Sequence, residues 1–467
     1  MKEKRYEKGK IRRNRTFYRV IALVLAVSLL YGCGASPEGD TQGMRSDSDP
    51  WGGGGRNQTV YQKMSLTPAP VFSEEDTAEA VELLSRDEAA AFGDFSVYFM
   101  REAVKKARQE GRENPVLSPV SAGLALMLAA CGSAGDTRTE FEEVLGLSSD
   151  QWGTVGGQLM RYMNQTAGTL KLQTANSVWV KENAQIKQEY LRQVGEELYS
   201  EVFHGDLSAE DTRQAVNTWV RDRTQDMIPE LLKEPFKESV TAVLLNAVYM
   251  EGKWQQPFAA EDTISGLFHT EDGEEITVSY LCDIGCERAY VQGEGVEGIL
   301  LPYEGGNLVF LALRSTDGRK AEELLTDLSL DGIRNLMDGA AETRMNFSMP
   351  RFTLEYRQDL EEALMEMGLL QSFDPENADF TSMGTGSEGE SLYMKKVRQD
   401  VKLQVDEEGT KAAAVTRIEM EAGGAMAPAE PVLELHFDQP YFYAIVDRDT
   451  GLPVFMGLME RPPETNH

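Results

Sequence analysis

Histidine and cysteine are scarce: the 467 residues contain four of each. His204, His269, His436 and His467 cluster neither with one another nor with Cys131, Cys282 and Cys286 along the chain. Zinc and similar metals need several clustered His or Cys ligands, so no metal site is expected. The same scarcity argues against a Ser-His-Asp or Cys-His nucleophile, and neither G-x-S-x-G nor H-E-x-x-H occurs. An enzyme is therefore the weakest functional reading. Cys282 and Cys286, in "CDIGC", read as inert thiols, with a local disulfide as the alternative.

Positive charge is the next shortage. Lys and Arg number 46 against 77 Asp and Glu, a net charge of -31. Nine of the cations fall within the first 20 residues, opposed only by Glu3 and Glu7; the remaining chain has 37 basic against 75 acidic residues, or -38. Nucleic-acid binding needs cations to displace phosphate counterions, so this partner is excluded, and the same balance argues against a polyanionic cofactor.

A long hydrophobic run is missing too. "VIALVLAVSLLYGC" offers about a dozen apolar residues, short of the roughly 20 that cross a hydrocarbon core. Behind a basic start it reads as an export signal. Its end, Leu30-Tyr31-Gly32-Cys33, resembles a bacterial lipoprotein cleavage box with Cys33 as the lipidated residue. Two or more acyl chains there would hold the mature chain at the outer side of a bacterial cell membrane. Residues 34–74, rich in Gly, Ser, Asp and Pro, read as a disordered tether reaching roughly 35 Å. Residues 75–467 form the folded domain.

Within that domain, 83–107, 119–131, 186–201 and 212–233 have helical spacing, with Ser118 and Pro119 placed as N-cap and first residue. "LKLQTANSVWV" and "TAVLLNAVYM" read as buried strands, and strand signals dominate after residue 275. Helices early and strands late indicate an α+β fold with more than one sheet. "GEGVEG" (293–298) fits G-x-G-x-x-G, yet a strand-like run follows it and Glu294 and Glu297 would repel a pyrophosphate; it reads as a turn.

A set of longer segments carries a resemblance. "NPVLSPVSAGLALMLAACGSAGDTRTE", "ANSVWV", "LLNAVYMEGKWQQPF", "LPYEGGN", "MPRFTLEYRQDLEEALMEMGLLQSFD", "VDEEGTKAAAVT" and "DQPYFYAIVDRDTGLPVFMGLM" resemble the serpin family, in the family's order, from about residue 83 to the C-terminus. The resemblance implies three β-sheets, about nine helices and an exposed reactive-centre loop. It also implies inhibition of a serine protease: the enzyme cuts the loop, forms an acyl-enzyme, and is dragged along as the loop inserts into the central sheet. Ser118, Ser121 and Asn246 match the family's polar cluster where that sheet parts, and Trp254 and Glu407 match the point of loop entry. The family's usual His is replaced here by Gln399. No cofactor is implied, and a monomer is expected.

The loop falls in "DEEGTKAAAVTRIEMEAGGAMAPAEP" (406–431). Read with period two from Thr410, one face carries Thr410, Ala412, Ala414, Thr416, Ile418, Met420 and Ala422. The other carries Lys411, Ala413, Val415, Arg417, Glu419 and Glu421, and so every charge. A strand buried on one side needs that division. Glu408 to Ala414 form the hinge, with Gly409 supplying backbone freedom. Family spacing puts the scissile bond after Gly423, with Met426 competing, in a bait of Gly423, Gly424, Ala425, Met426 and Ala427. No Lys or Arg occurs from Ile418 through Pro431, which favours elastase-like or subtilisin-like enzymes. A non-inhibitory serpin and a membrane-anchored solute-binding lipoprotein are the alternatives.

Overall fold

A computed structural model describes residues 19–28, 65, 66, 70, 72, 86–226, 228–410 and 432–464, of which 19–28, 86–91 and 410 are described by backbone alone. The scissile region and most of the hinge, 411–431, lie outside the described residues, as do Cys33 and its surroundings.

The described residues form nine α-helices: α1 (Arg86–Gln109), α2 (Pro119–Ala130), α3 (Gly135–Leu145), α4 (Trp152–Tyr162), α5 (Gln188–Glu196), α6 (Glu210–Arg223), α7 (Ala321–Asp327), α8 (Leu330–Asp338) and α9 (Glu361–Met367). They accompany sheets of eight, nine and two strands. The fold is α+β. Three helices nevertheless lie late, among the strands, so the expected division of early helices from late strands is too simple. These helices are only seven to nine residues long, too short to show a clear apolar period.

Two helices are shorter than their spacing suggests. The stretch 186–201 gives α5 and then a strand, Ser200–Gly205, that pairs parallel to Leu170–Lys181. Tyr199, at φ 49°, makes the break. The stretch 212–233 stops at Arg223 because Gln225 and Asp226 take φ 49° and 64° and Pro229 follows. A residue before proline is pushed out of the helical region, which reinforces the stop.

For the strands that position the site we use β1 (Arg19–Ser28), β2 (Leu170–Lys181), β3 (Val240–Lys253), β4 (Glu275–Gly293), β5 (Ala341–Pro350), β6 (Phe352–Asp359), β7 (Leu392–Val405) and β8 (Leu433–His436). The central sheet runs β6-β7-β1-β3-β2 and ends on Gln165–Ala167. β3 and β7 are not ladder partners; β1 lies between them, parallel to both. β1 belongs to the apolar run read as the export signal. A Val- and Leu-rich decamer whose one charge, Arg19, stands at its end suits a strand with a neighbour on either side.

The nine-stranded sheet passes from β8 through β5 and β4 and ends on Val116–Leu117. Its hairpin from β4 to Val296–Pro302 contains "GEGVEG": Gly293 pairs with Val296 across Glu294 and Gly295, the latter at φ 68°. The motif is a two-residue turn between strands. α2 touches both β3 and Pro453–Met459, and all its residues are buried. Ser118 caps it, accepting from Ser121 N at 3.3 Å, with Pro119 in the first turn.

The stretch read as a tether touches the body near its end. Ser65 bridges to Phe203, Leu66 N donates to Val202 O at 2.7 Å, and Phe72 is buried with its ring 5.0 Å from that of Tyr199.

Candidate functional site

Two clusters meet the strand-wide slot between β3 and β7, which β1 fills. The first lies halfway along it. Asn246 of β3 is fully buried and uses every polar group it has. Its Nδ2 donates to Thr174 Oγ1 at 3.0 Å and Asn176 Oδ1 at 2.8 Å, while its Oδ1 accepts from Ser121 Oγ at 2.5 Å. From β7, Gln399 accepts from Ser118 N at 2.8 Å and donates to Ser118 O at 3.0 Å. The N-terminal turn of α2 thus ties together both walls of the slot. Ser118, Ser121, Asn246 and Gln399 come together, and the side-chain amide of Gln399 takes both the N–H and the C=O of a single residue, Ser118. Thr174 and Asn176 complete the cluster. Sequence reasoning missed them, although polar residues in a stretch read as a buried strand were a visible signal.

The second cluster lies where β7 ends. Asp406 N donates to Gly409 O at 3.1 Å, closing a turn, and Gly409–Thr410 then pairs antiparallel with β3, Gly409 opposite Lys253 and Thr410 opposite Gly252. The turn is clamped from the chain that leaves β3. Trp254 N donates to Glu408 O at 2.8 Å, Trp254 Nε1 to Asp406 O at 2.9 Å, and Phe258 N to Glu407 O at 2.8 Å. The Trp254 ring stacks on Tyr303 with centroids 4.7 Å apart. Glu407 accepts from Thr263 Oγ1 at 2.8 Å and pairs with Arg351 at 2.9 Å; Glu408 faces Lys253 at 3.5 Å. Trp254 and Glu407 therefore adjoin, and Lys253, Thr263, Arg351 and Asp406 join them.

Asp406 is buried, and desolvation pushes its carboxyl above the usual range in spite of hydrogen bonds from Gln404 and the Glu408 amide. A raised folded-state pKa means that the protonated acid is favoured in the fold. This contribution is complete below the unfolded pKa and is lost as pH rises through the folded one. Asp406→Asn removes the cost of the charge and keeps an acceptor for Glu408 N. At pH 7.5 the variant should melt higher, by about 1 kcal/mol of stability, with the difference vanishing near pH 4. Calorimetric melts at the two pH values measure this, and an equal or lower melt at pH 7.5 would contradict it.

Cys131, Cys282 and Cys286 are free thiols. Burial pushes the Cys131 thiol up to about 12 and raises the other two, so they read as inert thiols. Among the described residues no group of three or more His, Cys, Asp and Glu could hold a metal ion, and no helix is long and apolar enough to cross a membrane.

A family model described as Serpin (serine protease inhibitor) matches residues 90–462. An uncharacterised serpin-like protein of Thermococcus kodakarensis is 30% identical over 356 residues, covering 75% of this chain and 81% of its own. Plasminogen activator inhibitor 1 of Sus scrofa is 27% identical over 416 residues, covering 87% of this chain and all of its own. Among solved structures, the thermophilic serpin tengpin in its native state superposes with a TM-score of 0.72 at 26% identity, over 81% of this chain and 95% of that one.

Proposed function

Since the chain belongs to the serpin family, which comprises serine protease inhibitors and not enzymes, we propose that it traps a serine protease as a suicide substrate. The protease attacks the loop, forms an acyl-enzyme, and is carried away as the loop enters between β3 and β7 before water completes the reaction. The observation that most supports this reading is the first rung already in place: Gly409–Thr410 paired antiparallel to β3 at the mouth of the slot.

Extending that register gives a coherent strand. Ala412 falls opposite Met250, Ala414 opposite Val248, Thr416 opposite Asn246 and Ile418 opposite Leu244; all four β3 residues are fully buried. Thr416 meets the one polar position among them. On the other face, Lys411 falls opposite Glu251. The walls β3 and β7 run the same way, because β1 is parallel to both. One antiparallel strand can therefore pair with each wall. On this reading β1 leaves with the export signal at Cys33, which frees the slot, and the lipid on Cys33 holds the inhibitor at the outer face of the membrane.

The absence of Lys and Arg from 418 to 431 points to an elastase-like or subtilisin-like target. Incubation of the purified protein with pancreatic elastase and with subtilisin should give an adduct on a denaturing gel, larger than the inhibitor by about the mass of the protease. Mass spectrometry of the released peptide then distinguishes cleavage after Gly423 from cleavage after Met426. Cleavage without adduct, and without a gain in thermal stability, would sink the inhibitory reading and favour a non-inhibitory serpin.

A further inference from the structure

A cavity of about 490 Å³ opens on the face of the central sheet beside the slot. One wall is the segment Ile228, Pro229 and Glu230, which follows α6. That segment is fastened to the helix. Asn217 accepts from Leu231 N at 3.0 Å and Leu232 N at 2.8 Å, and Arg213 pairs with Glu230 at 3.0 Å. α6 in turn packs on β2 and β3. The opposite wall is formed by β6 and β7, through residues that include Tyr356, Asp400 and Val401. The cavity therefore spans from the β3 side of the slot to the β7 side.

Its chemistry is uneven. Both cations in the lining are engaged, Arg357 with Asp400 Oδ1 and Lys402 with Glu355. Asp400 is only 8% exposed, and its second oxygen, Oδ2, has no hydrogen-bond partner. Desolvation raises the Asp400 pKa against the pull of Arg357 and Arg398, so the carboxylate is poorly compensated where it stands. A buried acceptor of this kind lacks an N–H donor, preferably a charged one. Glu230, at the opposite wall, supplies a second carboxylate, with one oxygen held by Arg213. Ile228, Pro229 and Val401 offer apolar surface between the two.

We propose that this cavity is a binding site for a small organic cation of the amine or guanidinium class, which donates to Asp400 Oδ2 at one end and approaches Glu230 at the other. Such a ligand bridges the two sides of the slot. On the loop-insertion reading, which this consequence alone requires, occupancy resists parting of the walls and lowers the fraction of protease trapped.

Agmatine, with a guanidinium and an amine joined by a flexible stem, is a suitable probe. Titration calorimetry on the purified protein should show one saturable site tighter than about 1 mM. Asp400→Asn, which keeps the shape and removes the charge, should weaken binding by about tenfold or more. Glu230→Gln, at a half-exposed position, keeps an acceptor for Arg213 and removes the charge, and should weaken it by about threefold or more. Absence of saturable binding by the wild type, or equal binding by both variants, would overturn the site. Calorimetry contains no protease, so failure of the inhibitory reading would leave the binding result standing, and failure of binding would not affect adduct formation.

Discussion

Gly409→Val should convert the protein from a trap into a substrate. Gly409 takes φ 146°, a conformation that side-chain-bearing residues rarely adopt. A Cβ there would lie 2.3 Å from Gly252 O, 2.6 Å from Lys253 Cα and 2.9 Å from Trp254 N. All three obstacles are backbone atoms of β3 and its extension, so no side chain can swing aside to relieve them. The first rung of the insertion ladder would be lost or held apart. Trapping is a race between insertion and hydrolysis of the acyl-enzyme, and each 1.4 kcal/mol added to the insertion barrier costs about tenfold. Strain and steric conflict of about 1.5 to 3 kcal/mol should therefore reduce the trapped fraction by about ten- to a hundredfold, while the cleavage rate is kept. Stoichiometry of inhibition, read as the ratio of cleaved inhibitor to covalent adduct, measures this. An unchanged ratio would refute the role given to the hinge.

Asn246→Leu carries the second large effect, this time on stability. The leucine is close in volume but strands two buried partners: Ser121 Oγ loses its acceptor and Asn176 Oδ1 its donor. Thr174 keeps its bond to Ala247 O at 3.1 Å. Unsatisfied buried groups cost about 1 to 3 kcal/mol each, so the fold should lose about 3 kcal/mol and melt about 5 °C lower or more. Because the cluster also ties α2 to β3, the walls should part more readily. Storage at 37 °C should then drain active inhibitor into species that form no adduct, visible by size-exclusion chromatography and by loss of trapping. A melt within about 1 °C of the wild type would show that the network contributes little.

Of the hinge, only the stretch up to Thr410 is described, and the reading of the rest stands on the sequence alone. Alternation from Thr410 onward, with every charge on one face, depends on the period of a strand and on nothing distant. Gly409 was legible for the same reason, since a glycine between an acidic turn and a small-residue strand has few other uses. Helix ends were less so, because α5 and α6 were cut short by the pairing of Ser200–Gly205 with β2 and by the left-handed residues Gln225 and Asp226, which periodicity does not register. The polar cluster was only half readable. Ser118, Ser121, Asn246 and Gln399 followed from family likeness, but the two-point grip of Gln399 on the N–H and C=O of Ser118 depends on α2 lying between two sheets. The cavity at Asp400 left no trace in the sequence at all. Its walls come from three segments more than forty residues apart, brought together by sheet order and by the fastening of 228–232 to α6.

The clamp at the end of β7 has one more consequence. Trp254, Phe258 and the indole Nε1 all grip main-chain oxygens, those of Glu408, Glu407 and Asp406. A peptide oxygen is the same whatever side chain it accompanies. The anchoring is therefore indifferent to the residues downstream, and on the inhibitory reading the bait from Gly423 to Ala427 is an interchangeable cassette: target choice could be rewritten there, by natural divergence or in the laboratory, without renegotiating the attachment of the loop to the body.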